Sequence, residues 1–199
     1  KTGGIIPLCG TAKTTTQNWI TLEGCKLALQ SDVNYNNGDY SSPPKKGLKA
    51  FSRNYTSTLF DKEGYEEGLH LNLFDGFEDT ESYLNFMDSF FGSIDANDLL
   101  GMLNTWQMGD IGKHEKFNNN TKKALANINC PALVMPSSTD LSFPARNNIP
   151  EVKGMPNAEL KVIKTKHGHL AGGMSTTLTS QEDVAFIDKN IREFLKKIT

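Results

Sequence analysis

Three short apolar runs stand out along the chain and predict buried β-strands. The first two, residues 4–9 and 132–135, are continuous rather than alternating, which is typical of parallel strands covered on both faces. The third run, residues 160–163, alternates and indicates a strand nearer an edge of the sheet. Pro7 weakens the first assignment, because proline cannot donate a hydrogen bond to a strand ladder. The pattern predicts an α/β protein.

Helical periodicity dominates the long stretch between the first two runs. Apolar side chains recur there at three- and four-residue steps in several segments, and the end of the chain repeats the pattern. Acidic residues at 95–98 and the polar stretch 180–183 suit helix starts. We expect a core strand at 1–10, a helical lid insert at 11–128 and a C-terminal core at 129–199 that completes one domain.

Three strands make an incomplete parallel sheet. Such strands need neighbours and cover on both faces, and an open apolar edge favours aggregation. The sequence therefore predicts that further chain completes the sheet, either a missing N-terminal half of the same protein or a partner chain. Position 1 is expected to be a cut, because the first strand follows it almost at once.

Charge, apolar run length and cysteine content argue against some classes of function. The 199 residues carry a formal net charge of -2 without a basic stripe, which argues against nucleic-acid binding. No apolar run is long enough to span a bilayer. The three cysteines are odd in number and far apart, so we expect buried reduced thiols and a cytoplasmic location.

Two segments carry side chains suited to catalysis. Asp140 follows the second strand, at the sheet edge where open α/β sheets bind ligands, although it could equally cap the next turn. His167 and His169 lie in a glycine-rich loop after the third strand. That loop is alternatively a surface turn, and a His-x-His zinc site lacks a third ligand at good spacing, so no metal is predicted.

The two segments together are more specific than either alone. A strand followed by Asp, then a helix, then a strand followed by His is the order of the last two members of an α/β-hydrolase triad. The Asp would fix the imidazole tautomer, and the His would take a proton from a nucleophile. No G-x-S-x-G nucleophile elbow occurs in the sequence.

These features, taken with the rest of the chain, resemble the C-terminal half of the homoserine O-acetyltransferase-like family of α/β-hydrolase-fold proteins. The similarity extends from Ile5 to the last helix. It is carried by residues 6–15, 18–19, 22–24, 47–53, 95–97, 105–107, 110, 132–136, 139–140, 143–144, 168–169 and 171–172.

The resemblance implies roles for particular residues. Asp140 matches the family's triad acid, and His169, which follows a glycine, matches the triad base, whereas His167 does not. The serine and the oxyanion hole belong to the N-terminal half, and the segment from Gly10 to Asp110 matches a helical lid. The implied function is serine-dependent acyl transfer from a small-molecule ester or acyl donor, without a cofactor and with acyl-CoA as a possible co-substrate.

One departure from the family bears on the acceptor. Homoserine acetyltransferases usually carry an aspartate after the catalytic histidine, where it helps to hold the substrate's amino group, and this chain has Leu170. An apolar side chain cannot pair with an ammonium, so water or another alcohol is the expected acceptor. The family resemblance leaves open a homodimer, and a non-catalytic binding or scaffold protein with an incomplete triad is the alternative function.

Weaker candidates lie elsewhere in the chain. An aromatic set could line a substrate pocket but is more often core, and two cations could meet a carboxylate substrate but are more often exposed surface groups. We also expect Asp110 to support the site indirectly. The aromatic set is Phe86, Phe90, Phe91 and Trp106, and the cations are Lys13 and Arg53.

Overall fold

A computed structural model describes residues 2–198 of the chain, in which eight α-helices accompany a small parallel sheet. Short 3₁₀ turns connect several of them. In chain order the elements are α1 (Thr16–Gln30), α2 (Lys45–Thr56), α3 (Lys62–Glu66), α4 (Thr80–Gly92), α5 (Ala96–Gln107), α6 (Thr121–Ala126), β1 (Ala132–Val134), α7 (Ala145–Gly154), β2 (Ala158–Leu160) and α8 (Gln181–Ile198).

The described chain divides into two compact units. One unit, which we call the sheet unit, contains residues up to 13, residues 59–76 and residues from 110 onward. The other, the helical unit, contains residues 14–58 and 77–109. The boundaries at 10 and 128 that the sequence suggested for the insert remain a prediction.

The sheet of the sheet unit is parallel, as the apolar runs predicted. Strand β1 pairs with β2 through Ala132 and Ala158, and residues 4–9 lie along the other side of β1 with parallel bridges at Ile5 and Leu8. The N–H of Ile5 donates to Pro131 and that of Cys9 donates to Met135. Between them Pro7 has no N–H to offer, although its carbonyl still accepts from Met135. The segment therefore keeps its register but lacks one ladder bond.

Apolar side chains cover both faces of this sheet, which explains the continuous apolar runs. On one face the fully buried Leu133 and Met135 pack with Ile187 and Phe194 of α8. On the other face Val134 packs with Leu125 of α6 and with Met155 after α7. These faces fix the strand ends at which the candidate site residues lie.

Helix caps and an ion-pair cluster stabilise the helical unit. Helices α4 and α5 begin after Asp79 and Asp95, whose carboxylates accept backbone N–H groups of the first turn. Arg53 of α2 donates to both Glu81 and Asp88 of α4, with its closest contact, 2.9 Å, to Asp88. The two carboxylates raise the pKa of Arg53.

The cysteines are free, as predicted, but only two of the three are buried. Cys9 and Cys25 are almost fully enclosed, and burial raises the pKa of each thiol to about 11. Cys130 is partly exposed, because it lies in the turn before β1 rather than in the core. That part of the expectation was wrong.

Candidate active site

The acid and base predicted from the sequence meet in the sheet unit. His169 Nδ1 lies 2.8 Å from Asp140 Oδ2, and the side chain of Asp140 is fully buried. The other carboxylate oxygen, Oδ1, accepts the N–H groups of Ser142 and Phe143 at 2.8 and 2.9 Å. Asp140 thus caps the turn after it and also contacts the imidazole, and its role as the triad acid stays a prediction.

Backbone contacts position the loop that carries His169. The His169 N–H donates to the carbonyl of Leu59, and the Gly168 N–H donates to Thr139 Oγ1, beside Asp140. Gly168 adopts φ +55°, and a Cβ there would lie 2.2 Å from the Leu59 oxygen. Only glycine allows this approach without displacing the loop.

The imidazole of His169 borders an open cavity of about 260 Å³. Its side chain is 31% exposed, and its ring lies 5.3 Å from that of Phe143 between centroids. Because Nδ1 faces Asp140, Nε2 is the ring nitrogen that does not contact this carboxylate. The cavity is lined by Leu8, Cys9, His169, Leu170, Gly172, Gly173 and Leu178.

Cys9 is a site residue whose position the sequence did not reveal. It ends the first strand segment with φ +42°, an unfavourable conformation for a residue with a side chain. Burial, reinforced by the negative charge of Asp140, raises its pKa, while the backbone N–H groups of Ser137 and Gly172 favour the thiolate. The thiol therefore lies between the acid loop and the base loop. Nothing in its local sequence signals this contact between distant segments.

The weaker candidates do not join this pair. Lys13 forms an ion pair with Asp110, 2.9 Å between Nζ and Oδ2, and Asp110 also accepts from Gly112 and Thr121. Asp110 therefore joins its own turn, through Gly112, to the first residue of α6, Thr121. Arg53 is engaged by Glu81 and Asp88 within the helical unit, so it is not an unpaired surface cation.

The aromatic set is divided between core and surface within the helical unit. Phe91 is 8% exposed and packs edge-on against Phe51, whereas Phe86 and Phe90 are 39% and 53% exposed. Amphipathic periodicity identified the helix, but it overestimated how much of its aromatic face is buried.

Across residues 2–198 no group of three or more histidine, cysteine or acidic side chains is arranged to hold a metal ion. In the same residues no helix combines the length and apolarity that crossing a membrane requires.

The fold defines the structural class. The parallel sheet and the helices around it match the C-terminal part of an α/β-hydrolase fold. An acetylester hydrolase from Corynebacterium glutamicum superimposes with a TM-score of 0.86 and 31% identity, over 97% of this chain and 54% of that protein.

Sequence relatives confirm the resemblance. A probable esterase from Corynebacterium glutamicum is 33% identical over 96% of this chain and 53% of its own length. An ethyl acetate hydrolase from Pseudomonas veronii is 31% identical, over 82% and 46% respectively. Homologues also include the homoserine O-acetyltransferase of Chloroherpeton thalassium, 26% identical over 74% of this chain and 39% of the relative. No protein-family model matches the chain. The chain thus spans about half the length of the curated relatives that it matches.

Proposed function

We propose that this chain supplies the acid and the base of a serine-dependent acyl-transfer enzyme, either an ester hydrolase or an O-acyltransferase. The observation that carries the proposal is the 2.8 Å contact between His169 Nδ1 and the buried Asp140 carboxylate. A histidine whose Nδ1 contacts a buried carboxylate and whose side chain borders a cavity is arranged for general-base catalysis. The names of the similar esterases and homoserine O-acyltransferases support the same class.

The reaction follows from the geometry of the pair. Asp140 accepts the Nδ1–H of His169, so Nε2 can take the proton of a serine hydroxyl as its oxygen attacks the ester carbonyl. His169 then returns that proton to the departing alcohol, which leaves an acyl-serine. Water or a second alcohol, deprotonated by the same nitrogen, releases the acyl group. The serine is proposed to lie in chain outside these residues, in an N-terminal half that also completes the sheet beside residues 4–9.

Leu170, the residue after His169, affects which molecule can accept the acyl group. Leu170 and Leu178 line the cavity beside His169 together with three residues that carry no charge at neutral pH, Cys9, Gly172 and Gly173. Such a lining favours a small uncharged group and offers no counter-charge for an ammonium. We therefore place hydrolysis of short-chain esters ahead of transfer to homoserine, with a small ester as acyl donor and acyl-CoA as the alternative donor.

The experiment uses the full-length protein that contains this chain. Hydrolysis of p-nitrophenyl acetate is measured for wild type, His169→Ala and the control His114→Ala, which removes an exposed histidine. We expect His169→Ala to lose at least about 1,000-fold in kcat and the control to match wild type. Wild-type rates in His169→Ala would disprove the base assignment.

A second measurement separates the remaining alternatives. Product analysis with added homoserine, and with acetyl-CoA in place of the ester, distinguishes hydrolysis from transfer and identifies the donor. A full-length wild-type protein that turns over neither donor would instead favour a non-catalytic binding or scaffold role.

A further inference from the structure

A second histidine–carboxylate pair lies beside the loop that carries His169. His167 Nδ1 is 3.4 Å from Asp183 Oδ2 and 3.1 Å from Thr165 Oγ1. Asp183 is in the first turn of α8, where its side chain is 6% exposed. The hydroxyls of Thr165 and Thr179 both donate to its Oδ2, at 2.6 and 2.5 Å. A buried carboxylate that accepts two hydroxyl hydrogen bonds is held in one position.

The hydrogen-bond donors and acceptors around His167 determine its tautomer. Each threonine hydroxyl has one proton, and both protons are directed to Asp183 Oδ2. Thr165 Oγ1 also accepts the backbone N–H of His167. The contact between Thr165 Oγ1 and Nδ1 therefore requires Nδ1 to be the donor. In this arrangement the imidazole donates to Thr165 of its own loop and lies 3.4 Å from Asp183 of α8.

The cluster continues into the acid loop. The carbonyl of Thr165 accepts the hydroxyls of Ser138 and Thr139, both at 3.0 Å. Thr139 Oγ1 in turn accepts the N–H of Gly168. Thr139 is the residue directly before Asp140 in the sequence. The chain of contacts therefore runs from α8 through Thr165 to Thr139, and it reaches both loops that must place the acid against the base.

We propose that His167 and Asp183 are positioning residues that hold the 165–169 loop against the acid loop, so that His169 meets Asp140. The role in catalysis rests on the function proposed above. The mechanical role does not, because it concerns contacts within the sheet unit alone. His167 thus differs from His169: its Nδ1 is committed to the cluster, and it acts only through the loop that it holds.

The first test measures the loop directly and needs no substrate. Hydrogen exchange of the Gly168 and His169 amides is compared by NMR in the full-length wild type, His167→Leu, His167→Asn and Lys164→Ala. Asn keeps an N–H donor near the position of Nδ1, and Lys164→Ala is the matched control, an exposed lysine directly before this loop. We expect exchange at least about 10-fold faster in His167→Leu, because the loop opens locally, and near wild-type exchange in the other two.

The second test separates positioning from simple stability. With a short aryl ester, His167→Leu should lower kcat by about 10- to 100-fold and leave KM within about twofold, because a displaced base mainly slows the chemical step. His167→Asn should restore most of the loss. If His167→Leu fails to fold, Asp183→Asn replaces it, and the same increase in exchange is expected.

The outcomes are distinguishable. Unchanged exchange in His167→Leu or in Asp183→Asn overturns the proposal, whatever the kinetics show. Equal kinetic losses in the Leu and Asn variants would also contradict it, because the donated N–H would then be irrelevant. Faster exchange in His167→Leu than in wild type, combined with a wild type that has no esterase activity, would support positioning and refute only the proposed function.

Discussion

Replacement of Gly168 by alanine probes the contact on which the base loop depends. An alanine Cβ at this position would lie 2.2 Å from the Leu59 carbonyl oxygen and 3.0 Å from the Phe60 Cα. Both neighbours are backbone atoms, so no side-chain rotation can relieve the overlap. Since ordinary carbon contacts occur at about 3.5 Å, the loop must move by roughly 1 Å.

The cost of this change can be worked out from its parts. A side chain in the left-handed region, where Gly168 has φ +55°, costs about 1–2 kcal/mol. Displacement also breaks the hydrogen bond from the His169 N–H to the Leu59 carbonyl, worth about 1 kcal/mol. We therefore expect Gly168→Ala to destabilise the protein by about 2–3 kcal/mol. A base shifted by about 1 Å should also lose roughly 100-fold in kcat.

Urea unfolding and the kinetics of p-nitrophenyl acetate hydrolysis, both on the full-length protein, measure the two effects. Gly101→Ala is the matched control, because Gly101 is an exposed residue of α5 and a Cβ there meets no atom within 4 Å. It should stabilise the protein by about 0.5–1 kcal/mol. A Gly168→Ala variant with stability and kcat like those of Gly101→Ala would refute the reasoning.

Three further predictions concern other parts of the chain. Asp140→Asn should keep the fold but lower kcat by about 1,000- to 10,000-fold, because an amide favours the wrong imidazole tautomer, as steady-state kinetics would show. Arg53→Met should destabilise the protein by about 3 kcal/mol in urea unfolding, because it leaves the carboxylate of Asp88 partly buried and without its main partner. Burial lowers the pKa of His70, so the unfolded state takes up a proton first on acidification. Stability should therefore fall below about pH 6.5, and His70→Gln should reduce that slope in unfolding measured across pH.

The strand ends and their polar residues were accessible to sequence analysis because they depend on local patterns. A continuous apolar run followed by a carboxylate, or a strand followed by a glycine-rich loop with histidines, marks where a parallel strand ends. This pattern gave Asp140 and the two histidines His167 and His169, and the family resemblance then selected His169. Helix starts were equally local, since Asp95 and Ser180 provide caps within three residues of the N–H groups that they accept. The structure confirms these helix starts and the strand that begins at Ala132, whereas the third strand is Ala158–Leu160 and not residues 160–163. Ile163 makes only an isolated bridge with Ser137.

What sequence analysis missed depends on contacts between distant residues. The carbonyl of Leu59 holds His169 across 110 positions, and the cluster at Asp183 joins α8 to a loop that lies 18 residues earlier at Thr165. The burial of a helix face depends on its neighbours in the same way. The buried residues of α4 are Tyr83, Met87 and Phe91, but the apolar pattern includes the exposed Phe86 and Phe90 as well and does not show which row is buried.

The position of Cys9 affects how inhibition of this protein would be interpreted. With a pKa of about 11, only about one thiol in 10,000 is ionised at pH 7, and the side chain is 5% exposed. Alkylating reagents such as iodoacetamide should therefore spare activity at neutral pH, even though a cysteine borders the cavity beside His169. Sensitivity that emerges only in strongly alkaline buffer would report ionisation of a buried thiol, Cys9 or Cys25, and would not indicate a cysteine nucleophile.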